Sequence, residues 1–117
     1  MAMDCIKSFL SRYFPLHGDT PDAGRISADE LKALFDEGAK PVVIDLRSFG
    51  EYGRGHIPGS LSIHALDELP PSGEVVIYCQ GGVLSRKMRR DFTSDERLCV
   101  DLMGGMEAWM KMGGELI

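Results

Sequence analysis

The segment YCQGGVLSRK, residues 78–87, sets a cysteine between an apolar strand-like run and the start of a helix. A thiolate is a strong nucleophile, and the N–H groups at a helix N-terminus lower a thiol's pKa. Gly81 and Gly82 let the backbone curl so that successive amides point inward and make an anion nest. Such a nest would stabilise a thiolate, a persulfide or an oxyanion substrate. Arg86 and Lys87 follow where the helix opens, although cations in a first turn oppose the helix dipole. A local rule broken beside a candidate site points to attraction of an anion. The plainer alternative is a buried structural Cys79 followed by glycines that only make a turn.

The chain has three cysteines, and the other two serve as contrasts. Cys99 lies inside the run LCVDL, so a buried, inert thiol is expected there. Cys5 sits near the N-terminus with no nest beside it and is expected to be a bystander. There is no C-x-x-C and no Cys/His cluster, so neither a disulfide framework nor a metal site is expected. No cofactor motif is present. His56 is expected to be a hydrogen-bonded turn residue rather than a base. His17 and His64 carry no recognisable role.

These residues need elements to position them. Residues 4–14 place Ile6, Phe9, Leu10, Tyr13 and Phe14 on one helical stripe, and Pro15 ends it. Residues 15–24 read as a linker. The helix is expected to dock on its own domain; a dimer contact or a membrane-surface anchor are the alternatives, the anchor weakened by only Lys7 and Arg12 as basic residues. From Arg25 onward, strand and helix signals alternate. Ser27 with Glu30, and Ser48 with Glu51, form capping boxes that open helical turns. Gly38 supplies a C-cap. VVIDL (42–46), residues 61–63, VVIY (75–78) and LCVDL (98–102) read as strands. Leu84, Met88 and Phe92 are spaced as a helix face, and Met106, Trp109 and Met110 read as core packing on a last helix. Alternation of this kind predicts a parallel α/β sheet of about five strands with helices on both faces. Ligands bind such sheets at the carboxyl ends of the strands, where Asp45 and Cys79 fall.

A chain of 117 residues suits one domain. Its net charge of −5 argues against nucleic acid as a partner. No segment reaches transmembrane length and the N-terminus does not resemble a signal peptide, so a reducing, cytoplasmic location is expected.

VVIDLRSFGEYGRGHIPGSLSI, VVIYCQGGVLS and LMGGMEAWMKMGGEL, taken in order, resemble the three signatures of the rhodanese homology domain. The resemblance covers residues 25–117 and leaves residues 1–24 as an N-terminal helix and linker. It implies a rhodanese-like fold and a single-domain sulfurtransferase. Cys79 would take a sulfane sulfur from a small donor such as thiosulfate and pass it to cyanide, a thiol or an acceptor protein. The loop Gln80, Gly81, Gly82, Val83, Leu84 and Ser85, with Arg86 beyond it, would cradle the substrate. Asp45 and Arg47 would be structural, with Arg47 expected to pair with Glu51. Many relatives carry arginine where this chain has Leu84, which predicts weaker recognition of a dianion. Two other functions compete. A cysteine phosphatase or arsenate reductase needs C-x5-R, and Ser85 stands where that arginine belongs. A non-catalytic rhodanese-like interaction module is the other.

Overall fold

The computed structural model describes residues 24–117, so the helix expected over residues 4–14, its linker, Cys5 and His17 lie outside the described residues. In chain order the elements are β1 (Arg25–Ile26), α1 (Ala28–Asp36), β2 (Val42–Asp45), α2 (Phe49–Arg54), β3 (Leu61–Ser62), β4 (Gly73–Tyr78), α3 (Val83–Phe92), β5 (Arg97–Leu102) and α4 (Gly105–Lys111). A short 3-10 turn, Leu66–Glu68, separates β3 from β4. All pairings are parallel, in the order β1-β5-β4-β2-β3. Among the described residues, no helix is long and apolar enough to cross a membrane.

The central strands read as continuous apolar runs because both of their faces are covered. Val43, Val76, Tyr78, Val100 and Leu102 share a cluster with Leu31 and Leu34 of α1 and Met106 and Trp109 of α4. Ile44, Val75, Ile77 and Cys99 pack instead with Phe92 and Met88 of α3. Both capping boxes form, with Ser27 and Ser48 accepting from the backbone of Glu30 and Glu51. Each glutamate in turn accepts from its serine's N–H.

Three features differ from the sequence reading. β1 is only two residues long, too short for periodicity to reveal. It is fixed by charge: Arg25 Nε and Nη2 donate to the buried Asp101 carboxylate of β5 at 3.0 and 2.9 Å. Leu84 is 48% exposed rather than part of the buried helix face. It sits in the first turn of α3, which borders the loop mouth, and Ser85 takes the buried position beside it. Met110 is also exposed, because α4 packs through Met106 and Trp109 one turn apart and turns Met110 away from the core.

Candidate active site

Cys79 follows directly on β4, at the carboxyl end of the sheet's middle strand. The chain then turns through Gly82, at φ +91°, into α3. A helix start leaves several N–H groups without intrahelical partners, and Gly82 offers no side chain to cap them. The sulfur takes that place. The Gly82 N–H donates to Cys79 Sγ at 3.1 Å and the Ser85 N–H at 3.4 Å. Ser85 is fully buried, and its Oγ lies 3.5 Å from Sγ and 3.5 Å from the Gly82 carbonyl oxygen. In the thiol form S–H donates to Oγ, and the hydroxyl donates to that carbonyl. Ionisation of the thiol lets the hydroxyl swing and donate to sulfur instead. Burial pushes the Cys79 thiol up, but the Ser85 hydroxyl and the amides of Ser85, Gly82 and Leu84 outweigh it and hold the thiol below its ordinary value.

A second helix grips the same loop from behind. The amides of Met106 and Glu107, in the first turn of α4, donate to the carbonyls of Cys79 and Gln80 at 2.9 and 3.0 Å. This close approach explains the paired glycines. A Cβ on Gly82 would lie 2.7 Å from the Gly104 nitrogen, and one on Gly105 would collide with the Cys79 carbonyl. The N-terminus of α3 therefore serves the sulfur, while that of α4 fixes the backbone carrying it.

Beneath the loop runs a buried polar chain. Tyr78 donates to Asp45 Oδ2 at 2.6 Å, and its hydroxyl meets that of Ser60 at 3.2 Å. Arg47 Nη2 donates to the same Asp45 oxygen at 2.8 Å and to the Gly55 carbonyl at 2.7 Å. Its Nη1 reaches Gln80 Oε1 at 3.3 Å. The expected Arg47–Glu51 pair does not form, since Glu51 caps α2 through Ser48. Arg47 precedes the cap, so helical spacing does not carry Glu51 to it.

A cleft of about 420 Å³ lies over the sulfur, with Arg47, Gln80, Gly81, Val83 and Leu84 among its walls. Gly82 and Ser85 meet the sulfur from within the loop. Arg86 is exposed on α3 and does not line this cleft. Arg47 is the cation that does, a placement its strand-end position at a ligand-binding edge could have signalled. His56 stacks on Tyr52 and bonds its carbonyl at 2.9 Å through Nδ1. His64 has a role the sequence did not show: its Nε2 lies 2.6 Å from the Arg47 carbonyl oxygen. Among the described residues, no group of His, Cys, Asp or Glu is placed to hold a metal ion.

A parallel sheet with a cysteine nested at its carboxyl edge defines the class, and the chain belongs to the rhodanese-like domain family, whose model matches residues 27–112. Its structure is similar to the rhodanese-like domain of an Anabaena protein, with a TM-score of 0.73, 23% identity and coverage of 80% of this chain and 78% of that one. It is also similar to a rhodanese-like domain protein from Staphylococcus aureus, with a TM-score of 0.65, 30% identity and coverage of 78% and 95%. In sequence it is 33% identical over 67 residues to a tRNA sulfurtransferase of Desulfurococcus amylolyticus. That match spans 56% of this chain but only 14% of the relative's length.

Proposed function

We propose that this chain is a sulfurtransferase in which Cys79 carries sulfane sulfur as a persulfide. The observation that carries the proposal is the nest at Sγ: two backbone amides and one buried hydroxyl within 3.5 Å of a thiol at the strand end. Family membership and the likeness to a tRNA sulfurtransferase support sulfur transfer in general terms. With thiosulfate as donor, the Cys79 thiolate attacks the outer sulfur, the S–S bond of the donor breaks, and sulfite leaves with the electron pair. The persulfide's outer sulfur, anionic near neutral pH, is held beside the same donors. A thiol, cyanide or an acceptor protein then removes it. Residues 80–85 form the cradle in this reading, without Arg86, which does not line the cleft; residues 25–117 are the catalytic domain, and a reducing cytoplasm the setting.

The loop geometry bears on the rivals. A cysteine phosphatase needs a guanidinium on the oxyanion, but Ser85 occupies that position and its hydroxyl faces the sulfur. Leu84 leaves an apolar rim where many relatives place a cation, and Arg47 is already neutralised by Asp45. Thiosulfate is therefore expected to be a usable but weak donor. Thiocyanate formation from cyanide, with thiosulfate (which releases sulfite) or an organic thiosulfonate (which releases a sulfinate) as donor, tests the proposal. Turnover that needs Cys79 and favours the less charged donor supports it; turnover surviving in Cys79→Ser overturns it.

A further inference from the structure

Gln80 stands between two clefts. One holds Cys79. The other, of about 290 Å³, is walled by Arg54, Met106, Met110 and Leu116 and shares Arg47, Glu51 and Gln80 with the first. Its chemistry is different. Met110 and Leu116 are 54% and 38% exposed, an apolar wall that the core does not take up. Arg54, in the last turn of α2, is exposed, and no carboxylate of the described residues forms an ion pair with it. Arg47 is compensated by Asp45 at 2.8 Å, so among the described residues Arg54 is the cation of this cleft without an ion pair. Glu51 also lines it, with Oε1 engaged by the N–H and hydroxyl of Ser48.

We infer that this second cleft binds the body of the sulfur acceptor, an organic thiol with an apolar stem and a carboxylate at its far end. The stem lies along Met110 and Leu116, the carboxylate meets Arg54, and the thiol reaches past Gln80 to Cys79. This rests on the sulfurtransferase reading and deepens it, because it gives donor and acceptor different surfaces. A small inorganic donor needs only the first cleft. In the transfer step the acceptor thiolate bonds to the outer sulfur of the Cys79 persulfide. The bond between that sulfur and Sγ breaks, and its electron pair stays on Sγ. Cys–S–S⁻ and R–SH become Cys–S⁻ and R–S–SH, the acceptor's proton passing to the outer sulfur as its thiolate attacks. The amides of Gly82 and Ser85 receive the returning charge.

A matched pair of acceptors tests this: mercaptohexanoate and mercaptohexanol, offered to protein already loaded with sulfur. The carboxylate should lower KM about two- to fivefold, the range of an exposed ion pair, and the advantage should shrink as salt rises. Arg54→Gln should erase that advantage while leaving mercaptohexanol and the rate of sulfur loading unchanged. Met110→Asp should raise KM for both thiols. Equal KM values in the wild type, or an Arg54→Gln effect of the same size on both thiols, would overturn the inference. The methyl thioether of mercaptohexanoate, which cannot accept sulfur, separates the two claims when its binding is followed by the Met110 methyl resonance. A protein that binds the thioether but never loads sulfur refutes the transfer reading. One that loads sulfur but shows no carboxylate preference refutes the cleft.

Discussion

Cys99 lies within β5 and Cys79 one residue past the end of the neighbouring β4, and both are buried, at 0% and 7% exposure. Their thiols are nevertheless driven in opposite directions. Around Cys99 there is apolar packing from Ile77 and Phe92, and burial pushes its thiol up to about 12. Around Cys79 the same penalty is outweighed by the Ser85 hydroxyl and three amides. Burial alone makes a thiol inert. What differs is position: within a strand the backbone N–H groups are spent on the sheet, whereas one residue beyond it a helix start still has donors to give.

The largest effect should come from breaking the nest itself. Gly82→Ala would force a side chain into φ +91° and bring its Cβ to 2.7 Å from Gly104. The strain alone costs about 1–3 kcal/mol. Chemical denaturation should show the lost stability. Alkylation of Cys79 by iodoacetamide at neutral pH should fall by at least about tenfold, one pKa unit's worth of thiolate.

The two cysteines should also bend stability in opposite directions with pH. Cys99 is raised in the folded state, so its contribution is complete below the ordinary thiol value of 9.0 and is lost as pH climbs toward about 12. There the unfolded chain has released the proton and the folded chain has not. Cys79 is depressed, so its contribution is present above 9.0 and is lost as pH falls through the lower folded value. Denaturation midpoints across pH should therefore show Cys99→Ala flattening the alkaline decline and Cys79→Ser flattening the rise toward 9.0.

Much of this contrast is legible in the sequence. LCVDL and VVIY announce buried strands, and two glycines after Cys79 announce a turn whose amides face inward. The missing parts are those that depend on the third dimension. Asp101 reads as an oddity in an apolar run until Arg25, from the far end of the chain, lies beside it. The family resemblance suggests Arg47 as a partner of Glu51, and only the strand-end geometry turns it back onto Asp45. Leu84 and Ser85 trade places relative to a simple apolar pattern. The helix face there serves the sulfur before it serves the core.

That exchange leads to two smaller effects. Ser85→Ala removes the one side-chain donor at Sγ, a bond to a charged group worth about 1.5 kcal/mol or more. Alkylation of Cys79 at neutral pH should slow about tenfold, and the pH–rate profile should shift to higher pH, with little change in Cys99. Leu84→Arg should act most mildly, improving apparent affinity for thiosulfate about two- to fivefold at an exposed position. The gain should fade with added salt. An unchanged KM for thiosulfate would mean that charge at the loop rim does not limit donor use.

The most direct measurement is where sulfur goes. The full chain is incubated with thiosulfate or an organic thiosulfonate, weighed intact, and then mapped by peptide mass. One added sulfur atom is expected, on Cys79 alone, removable by cyanide or a thiol reductant. It should be absent in Cys79→Ser and retained in Cys5→Ser and Cys99→Ser. Sulfur uptake that persists in Cys79→Ser, or that maps to Cys99, would contradict the account.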